Sequence, residues 1–160
     1  MPTYKINKKI LGFDPGYGRL GWAVLERSGN KDVLIDAGCF ETSAKISYPE
    51  RLVLIGEHVK KLLNKHSPDA LAMEKLFFHT NQKTAMNVAE VRGVIIFFAG
   101  SRPVYEFTPT QVKSSVCGYG KADKKQVQKM ITILLGLKET PQPDDKADAI
   151  AVALSGLGMT

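Results

Sequence analysis

Cysteine is nearly missing from this chain. Its 160 residues include two, Cys39 and Cys117, with no CxxC pair and no histidine at ligand spacing beside either. That excludes a disulfide framework and a Cys/His zinc site, and it fits a reducing compartment, here the cytoplasm. Long apolar runs are missing as well. The longest, Val94 to Ala99, falls far short of the roughly 20 residues a bilayer needs, so no membrane role is expected. The opening Met1-Pro2-Thr3-Tyr4-Lys5 leads into no signal-type apolar region. There is no internal repeat and no low-complexity linker, so a single domain over residues 1–160, with its core at about 9–155, is the economical reading.

With 44% hydrophobic and 24% charged residues the composition is that of an ordinary globular protein rather than a disordered one. The formal charge of +6 and a pI near 9.3 point to an anionic partner, nucleic acid first. Distribution sharpens the point. Lys113, Lys121, Lys124, Lys125 and Lys129 crowd one region, while several acids stand alone in apolar surroundings.

Ile10 to Leu25 reads as an apolar strand, a Gly- and Pro-rich turn and a second strand, a hairpin. Asp32–Thr42 predicts a third strand and hence an antiparallel meander. Leu52, Ile55, Val59, Leu62 and Leu63 recur at helical spacing within Tyr48–His66. Ala70-Leu71-Ala72-Met73 reads as a buried strand. Asn81–Gly100 predicts a helix with Ala85, Val88, Ala89, Gly93 and Ile96 on a tightly packing face. Arg102–Phe107 then reads as an edge strand because of its proline. Pro109 opens a helix at its first position, Asp123 caps another running to about Leu137, and a last helix follows Pro141-Gln142-Pro143. Strands separated by helices should be parallel through right-handed crossovers, giving a mixed five-stranded α/β sheet with helices on both faces.

The acids are the anomaly. Asp14 ends an apolar strand, where an ionised carboxylate is costly unless donors or a cation compensate it. Two readings stand for it: an ordinary turn former before Pro15-Gly16, or a metal ligand. Glu74 repeats the situation directly after Ala70-Leu71-Ala72-Met73, with emergence into water as its plain alternative. Asp144 and Asp145 suit a first helical turn, where the dipole favours acids. Asp148 does not, because a nearly continuous apolar segment follows it, and Asp145 and Asp148 share one helix face. Four oxygen donors without His or Cys partners suit Mg²⁺ or Mn²⁺. Carboxylates held together repel, and metal occupancy would keep them charged. Two ions about 3.5–4 Å apart would clamp both oxygens of a phosphodiester displacement. Glycines in the turn after Asp14 would let a DNA backbone come close.

Ile10-Leu11-Gly12-Phe13-Asp14-Pro15-Gly16, Met73-Glu74-Lys75-Leu76-Phe77, Ala89-Glu90-Val91-Arg92-Gly93, Gln111-Val112-Lys113 and Asp145-Lys146-Ala147-Asp148-Ala149-Ile150-Ala151 follow one another with family-like separations. The set resembles the RuvC family of bacterial Holliday junction resolvases over roughly Lys9 to Ser155. The resemblance implies a ribonuclease-H-like fold, a homodimer, and symmetric nicking of four-way junction DNA with Mg²⁺, Mn²⁺ substituting, at one or two ions per subunit. It implies an acid tetrad of Asp14, Glu74, Asp145 and Asp148, and ends carrying 5′-phosphate and 3′-hydroxyl. Phe77 falls where the family has an aromatic that stacks on a base; its alternative is core packing beside Phe78. Lys113 and Lys124 fall where the family has DNA-contacting lysines, and Lys121 and Lys125 lie beside them. The family works beside the RuvA–RuvB branch-migration machine. Adjacent Asp144 and Asp145 are a departure; alignment back from Asp148 favours Asp145. Some relatives carry His there, so proton transfer or leaving-group handling is open to it. His79 reads as a surface or groove residue.

The rival readings are a resolvase-fold nuclease acting on RNA or another branched DNA, a non-catalytic nucleic-acid module whose acids are caps and turns, and a phosphate-cradling domain of the sugar-kinase and actin type. The last needs a second similar domain, for which 160 residues leave no room.

Overall fold

A computed structural model of the chain describes residues 8–76 and 82–159. Five strands, β1 (Lys8–Asp14), β2 (Arg19–Ser28), β3 (Lys31–Glu41), β4 (Ala70–Glu74) and β5 (Val104–Phe107), form one sheet in the order β3-β2-β1-β4-β5. The first three make the expected antiparallel meander, and β4 and β5 run parallel to β1. The helices are α1 (Tyr48–His66), α2 (Gln82–Ala99), α3 (Pro109–Cys117), α4 (Lys124–Leu134) and α5 (Asp144–Leu157). Each crossover between parallel strands carries one helix, as parallel pairing requires.

Side chains alternate across the sheet and build two cores. Leu11, Phe13, Leu20, Trp22 and Val24 pack under α1 and α2 with Ile55, Val59 and Ile95. Ile10, Ala23 and Leu25 face the other way, against α5, α3 and α4. On that second face α5 lies almost on the backbone of the sheet. A Cβ at Gly12 would come within 2.6 Å of the Ala149 carbonyl oxygen and 2.7 Å of the Ala153 Cβ.

Local signals place the helix starts. Ser47 with Glu50, Thr108 with Gln111, and Asp123 with Gln126 each form a reciprocal cap at the N-termini of α1, α3 and α4. Pro109 opens α3, and Gly118, at φ 82°, ends it. Helix α4 stops at Leu134, ahead of the expected Leu137, where Gly136 turns the chain at φ 60°.

One expectation fails. The buried residues of α2 are Ala85, Val91, Ile95 and Ala99; Gly93 and Ile96 are exposed, and Val88 and Ala89 are half-buried. This helix is apolar around most of its circumference, so small residues do not mark the face that meets the sheet. Contact with α1 and the core shared beneath it does.

Candidate active site

Parallel pairing of β1 with β4 sets Phe13 beside Met73, so Asp14 and Glu74 end neighbouring strands at the same edge of the sheet. The start of α5 is brought to that edge by a contact only glycine permits. Gly21 pairs with Asp14 on β2, and a Cβ there would lie 2.0 Å from the Asp145 carbonyl oxygen. Strand ends and helix start together gather Asp14, Glu74, Asp145 and Asp148. Among the described residues, all four expected acids thus meet at one place.

The electrostatics follow from the crowding. Burial, then the charges of Asp148, Asp145 and Glu74, push the Asp14 carboxyl up to about 8, with Lys124 opposing. Burial and Asp148 also raise Glu74. Asp148 is raised by burial, against the pull of Lys124. These acids repel one another in a half-buried setting, the situation a bound cation relieves.

Two side chains supply part of that relief. Lys124 Nζ stands 3.3 Å from Asp148 Oδ2 and 3.1 Å from Asp144 Oδ2. Burial works against the Lys124 charge, and these two hydrogen-bonded acids outweigh it, raising its pKa. Arg19 Nη1 is 3.5 Å from Asp145 Oδ2. No three His, Cys, Asp or Glu side chains among the described residues are grouped closely enough to hold an ion as they stand. The donor chemistry nevertheless fits a hard divalent ion: all-oxygen, carboxylate-rich, and destabilised by its own charge. Asp14, Glu74, Asp145 and Asp148 are the residues that could hold it.

The lysines divide. Lys113 on α3 and Lys124 at the start of α4 line a cavity of about 200 Å³ together with Glu74 and Asp148. Lys121 and Lys125 are exposed and do not line it. Phe77 and His79 lie outside the described residues. A second cavity, about 250 Å³, adjoins the first at Glu74 and Pro109 and is lined also by Asp14, Lys75 and Arg92.

The hairpin turn after Asp14 is tied down. Arg51 stacks over the Tyr17 ring at 4.9 Å, and its Nε donates to Thr42 Oγ1 at 2.8 Å. A Cβ at Gly16 would lie 2.3 Å from the Arg19 carbonyl oxygen, so that glycine serves the closure of the turn itself.

Two arginines were not singled out for a role by sequence reasoning. Arg92, with a side chain 11% exposed, donates to the Glu74 main-chain carbonyl and to the Glu106 carboxylate. It thereby joins α2 to the ends of β4 and β5. A lone cation in the apolar run Val91-Arg92-Gly93 was its available signal. Arg19 carried none, because its partners Glu41 and Asp145 are remote in sequence.

A family model described as crossover junction endodeoxyribonuclease RuvC matches residues 10–156. A relative of that name from Thermosipho melanesiensis is 54% identical over 147 residues, covering 91% of this chain and 94% of the relative. Another, from Alkaliphilus metalliredigens, is 50% identical over 147 residues, covering 91% and 90%. Among solved structures, that of Thermus thermophilus RuvC in complex with Holliday junction substrate is similar at a TM-score of 0.88 and 35% identity, over 92% of each chain. The mixed five-stranded sheet with its helices is the ribonuclease-H-like fold expected.

Proposed function

On the premise that the chain belongs to the RuvC family of crossover junction endodeoxyribonucleases, we propose that it resolves four-way DNA junctions by paired symmetric nicks, in recombination and repair. The observation that carries this is Asp14. A carboxyl at the end of a central strand, ringed by three more acids and raised to about 8, is arranged for a divalent cation and against folding stability.

Asp14, Glu74 and Asp148 would hold Mg²⁺, with Mn²⁺ able to replace it, and Asp145 would assist. The bound ion supplies Lewis-acid stabilisation of the phosphodiester and lowers the pKa of the attacking water. Lys113 and Lys124, on the cavity wall facing Glu74 and Asp148, meet the phosphates. Lys121 and Lys125 extend that basic surface, and Phe77 stacks on a base near the crossover. Water attack then leaves 5′-phosphate and 3′-hydroxyl ends.

Paired nicks need two sites, and α2 supports a homodimer. Its outer face presents Met86, Ile96 and Phe97, the last 79% exposed. Beside it Leu52, Val53, Gly56, Val94 and Phe98 line an apolar groove between α1 and α2. RuvA and RuvB are the partners that would deliver the junction. No helix among the described residues is long and apolar enough to cross a membrane.

The test is cleavage of a synthetic four-way junction, beside linear duplex and RNA, with Mg²⁺ or Ca²⁺. Symmetric nicks are expected on the junction with Mg²⁺ alone, and Asp14→Asn should lower the rate by about 10³-fold or more. Undiminished cleavage by Asp14→Asn overturns the mechanism, and preferential cleavage of RNA overturns the substrate.

A further inference from the structure

Among the described residues, Arg19 is the one cation on the β2–β3 side of the site that reaches an acid of the proposed tetrad. Its place is rigid. It faces Glu41 directly across the β2–β3 pairing, and its own strand is pressed to the start of α5 at Gly21. Nε and Nη2 both donate to Glu41 Oε1, at 3.1 and 2.9 Å. That leaves Nη1 as the arm toward Asp145 Oδ2, at 3.5 Å. The side chain is 54% exposed, and exposed ion pairs of this kind are weak and readily exchanged.

We propose that Arg19 is an exchangeable counter-cation of the active site: it neutralises Asp145 in the ion-free protein and moves to a DNA backbone phosphate once a divalent ion takes over the acids. The inference rests on the metal reading given above. Its logic is charge balance. Without an ion, a phosphate approaching Arg19 would also meet Asp145 and Glu41, and repulsion opposes the contact. With an ion on the acids, Nη1 loses its partner and its N–H groups are free to donate to a phosphate oxygen. Glu41 acts as the tether, holding Nε and Nη2 so that the freed arm stays at the acid edge. Lys124 occupies the corresponding place on the α4 side, between Asp144 and Asp148. Each α5 acid of the tetrad thus has its own displaceable cation.

Two measurements without turnover test this. In the first, Mn²⁺ is titrated calorimetrically into DNA-free wild type, Arg19→Ala and Asp14→Asn. Removing the competing charge should tighten Mn²⁺ binding in Arg19→Ala by about threefold to tenfold, whereas Asp14→Asn should weaken it. In the second, four-way junction affinity is measured across a salt series with Ca²⁺ present. Arg19→Ala should flatten the dependence of log affinity on log salt by about one unit. Glu41→Gln, which keeps the cation but loosens the tether, should leave the slope unchanged. A wild-type Mn²⁺ affinity equal to that of Asp14→Asn removes the metal reading and this inference with it. Normal wild-type binding with no change in Arg19→Ala, or an unchanged slope in Arg19→Ala, overturns the exchange alone.

Discussion

Helix α5 buries nine of its fourteen residues, whereas α2, eighteen residues long and of similar apolar character, buries four. Both pack on the same sheet, on opposite faces. The difference is that α5 lies between the sheet and helices α3 and α4, whereas α2 packs beside α1 and keeps an outer face exposed; small residues let α5 come closer to its strands. Helix α5 meets the sheet through the Asp145 carbonyl, Ala149, Ala153 and Gly156, over strands that offer Gly12 and Gly21, and packs against α3 and α4 on its other side. Backbone approaches backbone, and Asp145 and Asp148 are carried to the strand ends with little freedom. Helix α2 sits higher, over Leu11, Phe13 and Met73, and turns Met86, Ile96 and Phe97 outward. One helix uses its apolar surface to fix the acids at the strand ends; the other leaves part of its own exposed.

The largest effect expected from breaking this contrast is at the glycines. Gly12→Val has no space, since even a Cβ would strike the Ala149 carbonyl oxygen and Ala153. It should cost about 3 kcal/mol or more, as overpacking of a rigid core does at its severe end. Gly93→Ala on α2 meets nothing within 4 Å and should be neutral or stabilise by up to about 1 kcal/mol through helix propensity. Urea melts of the two variants check both values. Equal costs would mean that the two helices do not differ as described.

Next in size is the outer face of α2. Phe97→Asp puts a charge where 79% of a phenylalanine is exposed. The folded monomer should keep its stability to within about 0.5 kcal/mol, while self-association should weaken by about 100-fold, a loss typical of a central aromatic contact. Sedimentation equilibrium reads the second value and thermal melts the first. Unaltered association would move the dimer contact elsewhere.

How legible each helix was follows from the same contrast. For α5 the sequence carried two independent signals, acids spaced three apart and an alanine-rich apolar run, and both report on packing. Asp14 and Glu74 were legible because an acid at the end of a buried strand is costly wherever it occurs. The inward face of α2 was read only in part, with Ala85 right but Gly93 and Ile96 in place of Val91 and Ile95, because residue type distinguishes faces only when one of them is polar. Arg19 and Arg92 escaped for a different reason. Their partners are brought together by strand pairing and crossover, which local spacing does not encode. Family resemblance named the block holding Arg92 but assigned it no contact; the structure supplies the Glu74 carbonyl and Glu106.

The smallest effects expected, and the ones that separate the two faces by sign, are in pH dependence without divalent ions. On the α5 face, Asp14 titrates near 8 in the folded protein against about 3.8 for an ordinary aspartate. Its folded pKa is raised, so its contribution is fully present below pH 4 and is lost as pH rises through 8. Glu74 and Asp148, also raised, act in the same sense. On the α1 side, His58 stacks on Phe40 at 4.2 Å, and burial, helped by Lys61, lowers its pKa. A depressed histidine behaves oppositely: stability is full above its ordinary value of 6.5 and falls as the pH drops below it. In EDTA, therefore, the wild type should lose stability between pH 6.5 and 8. Asp14→Asn should flatten that limb and gain roughly 1–3 kcal/mol at pH 8. His58→Gln should leave that limb alone and soften only the loss below 6.5, by less than about 1 kcal/mol because the ring is partly solvated. Thermal melts across pH for the three proteins decide the matter. An Asp14→Asn protein that keeps the wild-type slope above pH 6.5 would show that the acids at the strand ends do not strain one another, and the case for a cation among them would lose its physical basis.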